Sequence, residues 1–114
     1  MRASMLKGHL EALVLAILDD GSAHGYAILS SLRARTGGAV TIEGGSLYPL
    51  LRRLEERGLV DSRWATDGGR QRRVYELSSS GVHALRAERS AWADFVGALG
   101  PLLDPGPRGA TASP

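Results

Sequence analysis

Residues 43–58 read EGGSLYPLLRRLEERG, and the reading of this stretch decides the fold. Leu47, Leu50, Leu51 and Leu54 recur at helical spacing on one face, which predicts a helix with Gly58 as its C-cap. Its front end is not that of a helix made only for a core: two glycines and a serine precede a tyrosine beside a proline. With Ser46 as N-cap, Pro49 is the third helical residue, where a missing N–H is harmless because first-turn donors have no intrahelical partner. With an earlier start, Pro49 has to kink the helix. In both cases Tyr48 and Arg52 lie one turn apart off the leucine face and point outward, with Ser46 and Arg53 nearby.

The flanking segments supply a scaffold for that helix. Upstream, Leu10, Leu13, Val14, Ile17 and Leu18 predict a first helix from about Lys7 to Asp19, buried on more than one side and ended by the Asp20-Gly21 turn. A second helix is expected from Ser22 or Ala23 to Arg35, with Tyr26, Ile28, Leu29 and Leu32 inward and Thr36-Gly37-Gly38 as its stop. Val40-Thr41-Ile42 is β-branched and short, and predicts a small strand.

Downstream, Leu59 to Ala65 and Val74 to Leu77 alternate with period two around Asp67-Gly68-Gly69, the signature of a hairpin. Ser78, Ser79 and Ser80 offer N-caps for a long helix reaching about Leu99. Along it Val82, Leu85, Arg89, Trp92, Val96, Leu99 and Leu103 step by three and four, a heptad-like seam that calls for a partner helix. Residues 104–114, DPGPRGATASP, are too rich in Pro, Gly and small side chains to pack, and a disordered tail is expected there.

The chain has 114 residues, 43% of them hydrophobic, which suits one small domain that gains stability by pairing with a second copy. It has no cysteine, so disulfides, thiolate metal sites and a cysteine nucleophile are excluded; an intracellular, cytoplasmic location fits. The apolar run LEALVLAIL at 10–18 is too short to span a bilayer and contains Glu11. The net charge is only +2, but between Arg52 and Arg73 seven arginines face four acids, a local excess of three. His9, His24 and His83 have no ligand spacing, so no metal or other cofactor is expected. Gly44-Gly45-Ser46-Leu47-Tyr48 begins like a nucleophile elbow without its closing glycine, and no phosphate-binding loop occurs, so the chain does not read as an enzyme.

Helix, helix, short strand, helix, arginine-tipped hairpin, long helix is the order of a winged helix-turn-helix: a mainly α (α+β) fold with a two-stranded wing. In that reading residues 1–78 form the DNA-binding domain, 79–103 a dimerisation helix and 104–114 the tail. Three segments strengthen it: His24-Gly25-Tyr26-Ala27-Ile28, Gly45-Ser46-Leu47-Tyr48-Pro49-Leu50-Leu51-Arg52-Arg53-Leu54-Glu55, and Arg72-Arg73-Val74-Tyr75-Glu76-Leu77. Together they resemble the PadR family of transcriptional regulators, in its short-chain branch. The resemblance implies a homodimer built from the first and last helices, a recognition helix at 46–57, and double-stranded DNA contacted by Ser46, Tyr48 and Arg52. Arg53 and the wing residues Arg70, Arg72 and Arg73 are expected to hold phosphates, with Arg73 the one that strand alternation can turn back toward the body. Leu10, Val14, Leu85, Trp92, Val96 and Leu99 are the expected dimer contacts. Some members of the family line a drug-binding pocket between subunits with an aromatic residue in this region, which makes Trp92 the candidate for a small aromatic effector.

Each of these readings has a plainer counterpart. Tyr48 can be a half-buried ring packed on the first helix, the hairpin arginines can be a solvated loop, and His24 reads as a helix-start residue before it reads as a switch. At the level of function the counterpart is a winged-helix module that binds protein and lacks sequence-specific DNA binding.

Overall fold

The computed structural model describes residue 6 and residues 8–106. Among the described residues, four helices, α1 (Leu10–Asp19), α2 (Gly25–Arg35), α3 (Gly44–Glu56) and α4 (Ser79–Leu103), accompany strands β1 (Ala23–His24), β2 (Val60–Asp67) and β3 (Arg70–Leu77). The strands form one antiparallel sheet in the order β1-β3-β2. This is the mainly α winged helix-turn-helix expected from the sequence, with a third strand added to the wing.

The core is where the leucine face of α3 predicts it. Leu47, Leu50, Leu51 and Leu54 are all buried, against Val14, Leu15, Ile17 and Leu18 of α1 and Ile28 and Leu32 of α2. Each such side chain contributes about 1.5–3 kcal/mol relative to exposure, so α3 is fastened along its length. The wing is closed by Gly68 and Gly69, whose φ angles of 59° and 81° are both left-handed, as a two-residue hairpin turn requires. Ser78 caps α4 by accepting from Gly81 N at 3.0 Å, while its hydroxyl donates to Gly58 O at 2.6 Å.

Four local expectations are corrected. Val40-Thr41-Ile42 forms no strand: Val40 is buried, and its N–H goes to Thr36 Oγ1 at 3.0 Å instead of to a sheet. The edge of β3 is taken by Ala23 and His24, opposite Tyr75 and Val74, so α2 begins only at Gly25. Tyr26 is 69% exposed and leaves the inward side of α2 to Ile28 and Leu32. Finally, α4 continues past Leu99 to Leu103, with Gly97, Gly100 and Pro101 inside it. Lys7 lies outside the described residues, so the helical start expected there is not described. Most of the expected tail, residues 107–114, also lies outside them; Asp104–Gly106 are exposed coil.

Candidate nucleic-acid interface

Helix α3 starts at Gly44 with Glu43 as N-cap, earlier than a Ser46 cap allows, so Pro49 stands in the helix interior. There it removes the donor that the Gly45 carbonyl would otherwise receive. With about 100° per residue, the side opposite the leucines carries Gly45, Pro49, Arg52 and Glu56. Gly45, Pro49, Arg52 and Glu56 are exposed, and Arg52 forms no ion pair among the described residues. Ser46 and Tyr48, two residues apart, fall on opposite flanks of this ridge, about 160° from each other.

The two flanks have different surroundings. On the side of α1, Glu11 holds Arg57 at 2.7 Å and Arg53 at 4.0 Å. On the side of the wing, Glu55 accepts from Ser62 Oγ at 2.6 Å, and Tyr48 packs against the start of α2. A Cβ built on Gly25 would stand 2.7 Å from Tyr48 Cζ, so the ring occupies space that only a glycine leaves free. Tyr48 is therefore packed on the second helix, not the first, and remains 49% exposed. The His24-Gly25-Tyr26 and Ser46-Leu47-Tyr48 segments meet in this one contact.

Strand alternation sorts the wing arginines. Arg70 and Arg72 lie on one face of β3 and Arg73 on the other. Arg70 is exposed at the tip. Arg72 packs on His24, with Nη1 3.3 Å from Nε2 and 3.4 Å from Nδ1; its buried Nε has no hydrogen-bond partner among the described residues, the nearest acid, Asp67 Oδ2, being 3.9 Å away. His24 is the helix-start residue that the plainer reading made it, since its Nδ1 accepts from Ala27 N at 3.2 Å. Arg73 turns toward α3, 3.7 Å from Glu55 Oε2, and its guanidinium lies 5.3 Å from the exposed Trp64 ring. Beneath it Tyr75 is buried; burial raises the phenol pKa and the Arg73 charge draws it back.

The expected dimer contacts divide in two. Val14 and Leu85 are 0% and 3% exposed within the single chain, so they belong to its own core and have no area left for a partner. Leu10 and Leu99 are partly buried, whereas Trp92 and Val96 are 57% and 46% exposed. Trp92 stacks on Phe95 with ring centroids 5.9 Å apart, and His9 meets its edge at 6.0 Å. Arg89, the polar interruption of the seam, donates to Asp19 Oδ2 at 3.0 Å and ties α4 to the end of α1. Beyond that tie the residues of α4 from Ser90 to Ala98 are exposed. A groove of about 160 Å³ lies between α1 and α2, away from Trp92, lined by Leu13, Ala16, Ile17, Leu32, Arg35 and Thr36.

The sequence reading did not place Pro49 and Glu56 on the outward ridge and did not single out Trp64 or Arg63 on the wing as candidate site residues. The helical angle was signal enough for the first two. Period-two alternation puts Trp64 on the face of Val60, but that face outruns the body of the domain, and Trp64 is 62% exposed.

Comparison with known proteins converges on this architecture. The model of the transcriptional regulator PadR-like family matches residues 14–87. The chain belongs to that family, and it is accordingly a transcriptional regulator and not an enzyme. It is 42% identical over 72 residues to the transcriptional regulator Rv3488 of Mycobacterium tuberculosis, a match covering 63% of this chain and 64% of that protein. Among solved structures, a PadR family transcriptional regulator from Eggerthella lenta is 37% identical, with a TM-score of 0.74 and coverage of 89% of this chain and 87% of the other. A PadR-like regulator from Bacillus cereus is 27% identical, with a TM-score of 0.79 over 90% and 98% of the two chains. Among the described residues no helix is long and apolar enough to cross a membrane.

Proposed function

We propose that the protein is a homodimeric, sequence-specific DNA-binding repressor, with residues 1–78 as the DNA-binding unit and 79–103 as the dimerisation helix. The observation that carries this reading is the outward ridge of α3, where Arg52 stands exposed and unpaired among the described residues between a flank bearing Arg53 and Arg57 and the arginine-bearing wing. Two recognition helices enter successive major grooves of a pseudo-palindromic operator, about one helical turn apart. Arg52 reads bases, Ser46 and Tyr48 contact the two sides of the groove, and Arg53, Arg70 and Arg72 meet phosphates.

Dimerisation along α4 is supported by its exposed Trp92, Phe95, Val96, Leu102 and Leu103, a run of apolar side chains that a lone chain leaves in water. The stacked Trp92–Phe95 pair is also the surface on which a flat aromatic effector would lie, and such a ligand relieves repression only by binding one arrangement of the dimer better than another.

Fluorescence anisotropy with a duplex from upstream of the protein's own gene, titrated at several salt concentrations, tests the reading. Arg70→Ala and Arg72→Ala are each expected to flatten the log–log salt slope by about 0.9. Unchanged slopes remove both residues from the interface. Binding by the wild type that is weak and blind to sequence favours the protein-interaction module instead.

A further inference from the structure

Arg73 is the wing arginine that does not face the way its neighbours do. It projects from the opposite side of β3 to Arg70 and Arg72, toward α3, and it is held from two directions. Glu55 of α3 lies 3.7 Å from its Nη2, and the ring of Trp64, its direct partner across the hairpin, lies 5.3 Å from its guanidinium carbon. The same Glu55 carboxylate oxygen accepts from Ser62 Oγ at 2.6 Å. One carboxylate of α3 thus grips both strands of the wing.

The place where this happens matters. Strand β1 pairs only with Val74 and Tyr75, so from Arg73 outward the hairpin is two-stranded, a unit with little stability of its own in water. Arg73 sits at that boundary. An arginine whose donors face a carboxylate and whose plane lies by an indole has its charge already answered, in contrast to Arg70 at the tip.

We propose that Arg73 is a positioning residue: it fixes the wing against α3 through Glu55, with Trp64 covering it, and makes no phosphate contact. The functional consequence rests on the DNA-binding reading above; the contact itself does not.

The test uses Trp92→Phe protein, in which Trp64 is the remaining one of the two tryptophans. Glu55→Gln and Arg73→Gln are each expected to shift Trp64 emission, and the double variant to shift it no further than Arg73→Gln alone. With DNA, measured in chains that keep Trp92, each single change is expected to weaken binding about three- to tenfold at an unchanged salt slope, and the two losses not to add, as for residues acting through one contact. The ion pair is more than a third exposed on both sides, so thermal midpoints stay close to the parent and unfolding does not mimic the effect. Two results overturn the proposal. One is Trp64 emission indifferent to Glu55→Gln. The other is an Arg73→Gln slope flattened by about 0.9 together with tighter binding by Glu55→Gln, the pattern of a phosphate contact freed from a competing acid. If the parent protein binds no duplex specifically, the DNA reading falls, and Trp64 emission alone decides the contact.

Discussion

The ring of Tyr48 lies over Gly25, close enough that a methyl group on Gly25 would stand 2.7 Å from Tyr48 Cζ and 2.8 Å from Cε1. Gly25→Ala therefore displaces the ring. Because Tyr48 is half-exposed it swings outward, and the stability loss is expected to stay near 1 kcal/mol, the low end for overpacking. DNA affinity is expected to fall on the order of tenfold, the equivalent of about 1.4 kcal/mol. Thermal melting and anisotropy on the same sample check the split; a large stability loss with unchanged affinity would show that Tyr48 only packs.

Glu11 restrains the α1-side flank of α3 by holding Arg57 at 2.7 Å and Arg53 at 4.0 Å. Both pairs are well exposed, so Glu11→Gln is expected to change stability by less than about 1 kcal/mol. Freeing the two arginines is expected to tighten DNA binding a few-fold and to steepen its salt dependence. A salt titration of the variant against the parent reads this directly, and weaker binding would count against a DNA-facing role for that flank.

The exposed seam of α4 leads to a prediction about assembly. Val96→Glu puts a charge beside the Trp92–Phe95 stack, and sedimentation velocity is expected to show a shift from dimer to monomer with the helical circular dichroism signal largely kept. Trp92→Ala is expected to act in the same direction. A dimer that survives both changes must be built elsewhere.

Tyr75 contributes to the alkaline side of the stability profile. Burial, only partly offset by Arg73, raises its phenol pKa above the value of about 10 for an unfolded chain. The native state thus prefers the neutral phenol. Its contribution is fully present below the unfolded pKa and is lost as pH rises through the higher folded one. Urea unfolding at a series of pH values from about 8 to 11 is expected to show stability falling above about 10 in the parent, with a smaller fall in Tyr75→Phe.

The order of elements, the leucine face of α3 and the wing turn were legible because each is written in local periodicity or in turn chemistry. The misplaced strand was not. Ala23 and His24 carry no β signal and become a strand only because β3 offers them an edge, whereas Val40-Thr41-Ile42 has β-branched side chains but spends its backbone on Thr36. The burial of Val14 and Leu85 was equally hidden: an apolar residue on a helix records that it is covered and not which chain covers it. At the candidate site, spacing alone separates Ser46 from Tyr48, but the neighbours of each flank, Glu11 on one side and Gly25 on the other, come from the packing of α3 between α1, α2 and the wing.

Ser78 joins three parts of the molecule at one residue. Its N–H donates to Leu59 O at 3.1 Å, its hydroxyl donates to Gly58 O, and the same oxygen receives Gly81 N. The end of α3, the root of the wing and the first turn of α4 are thereby pinned to a common joint. In a dimer held together along α4, the span between the two reading ridges would depend on the angle at this joint, counted twice, an angle that the Arg89–Asp19 tie also holds. On the DNA-binding reading proposed above, a tilt of a few degrees there would move both ridges, so the fit to operators of different half-site spacing would be adjusted at a serine outside the proposed DNA contacts.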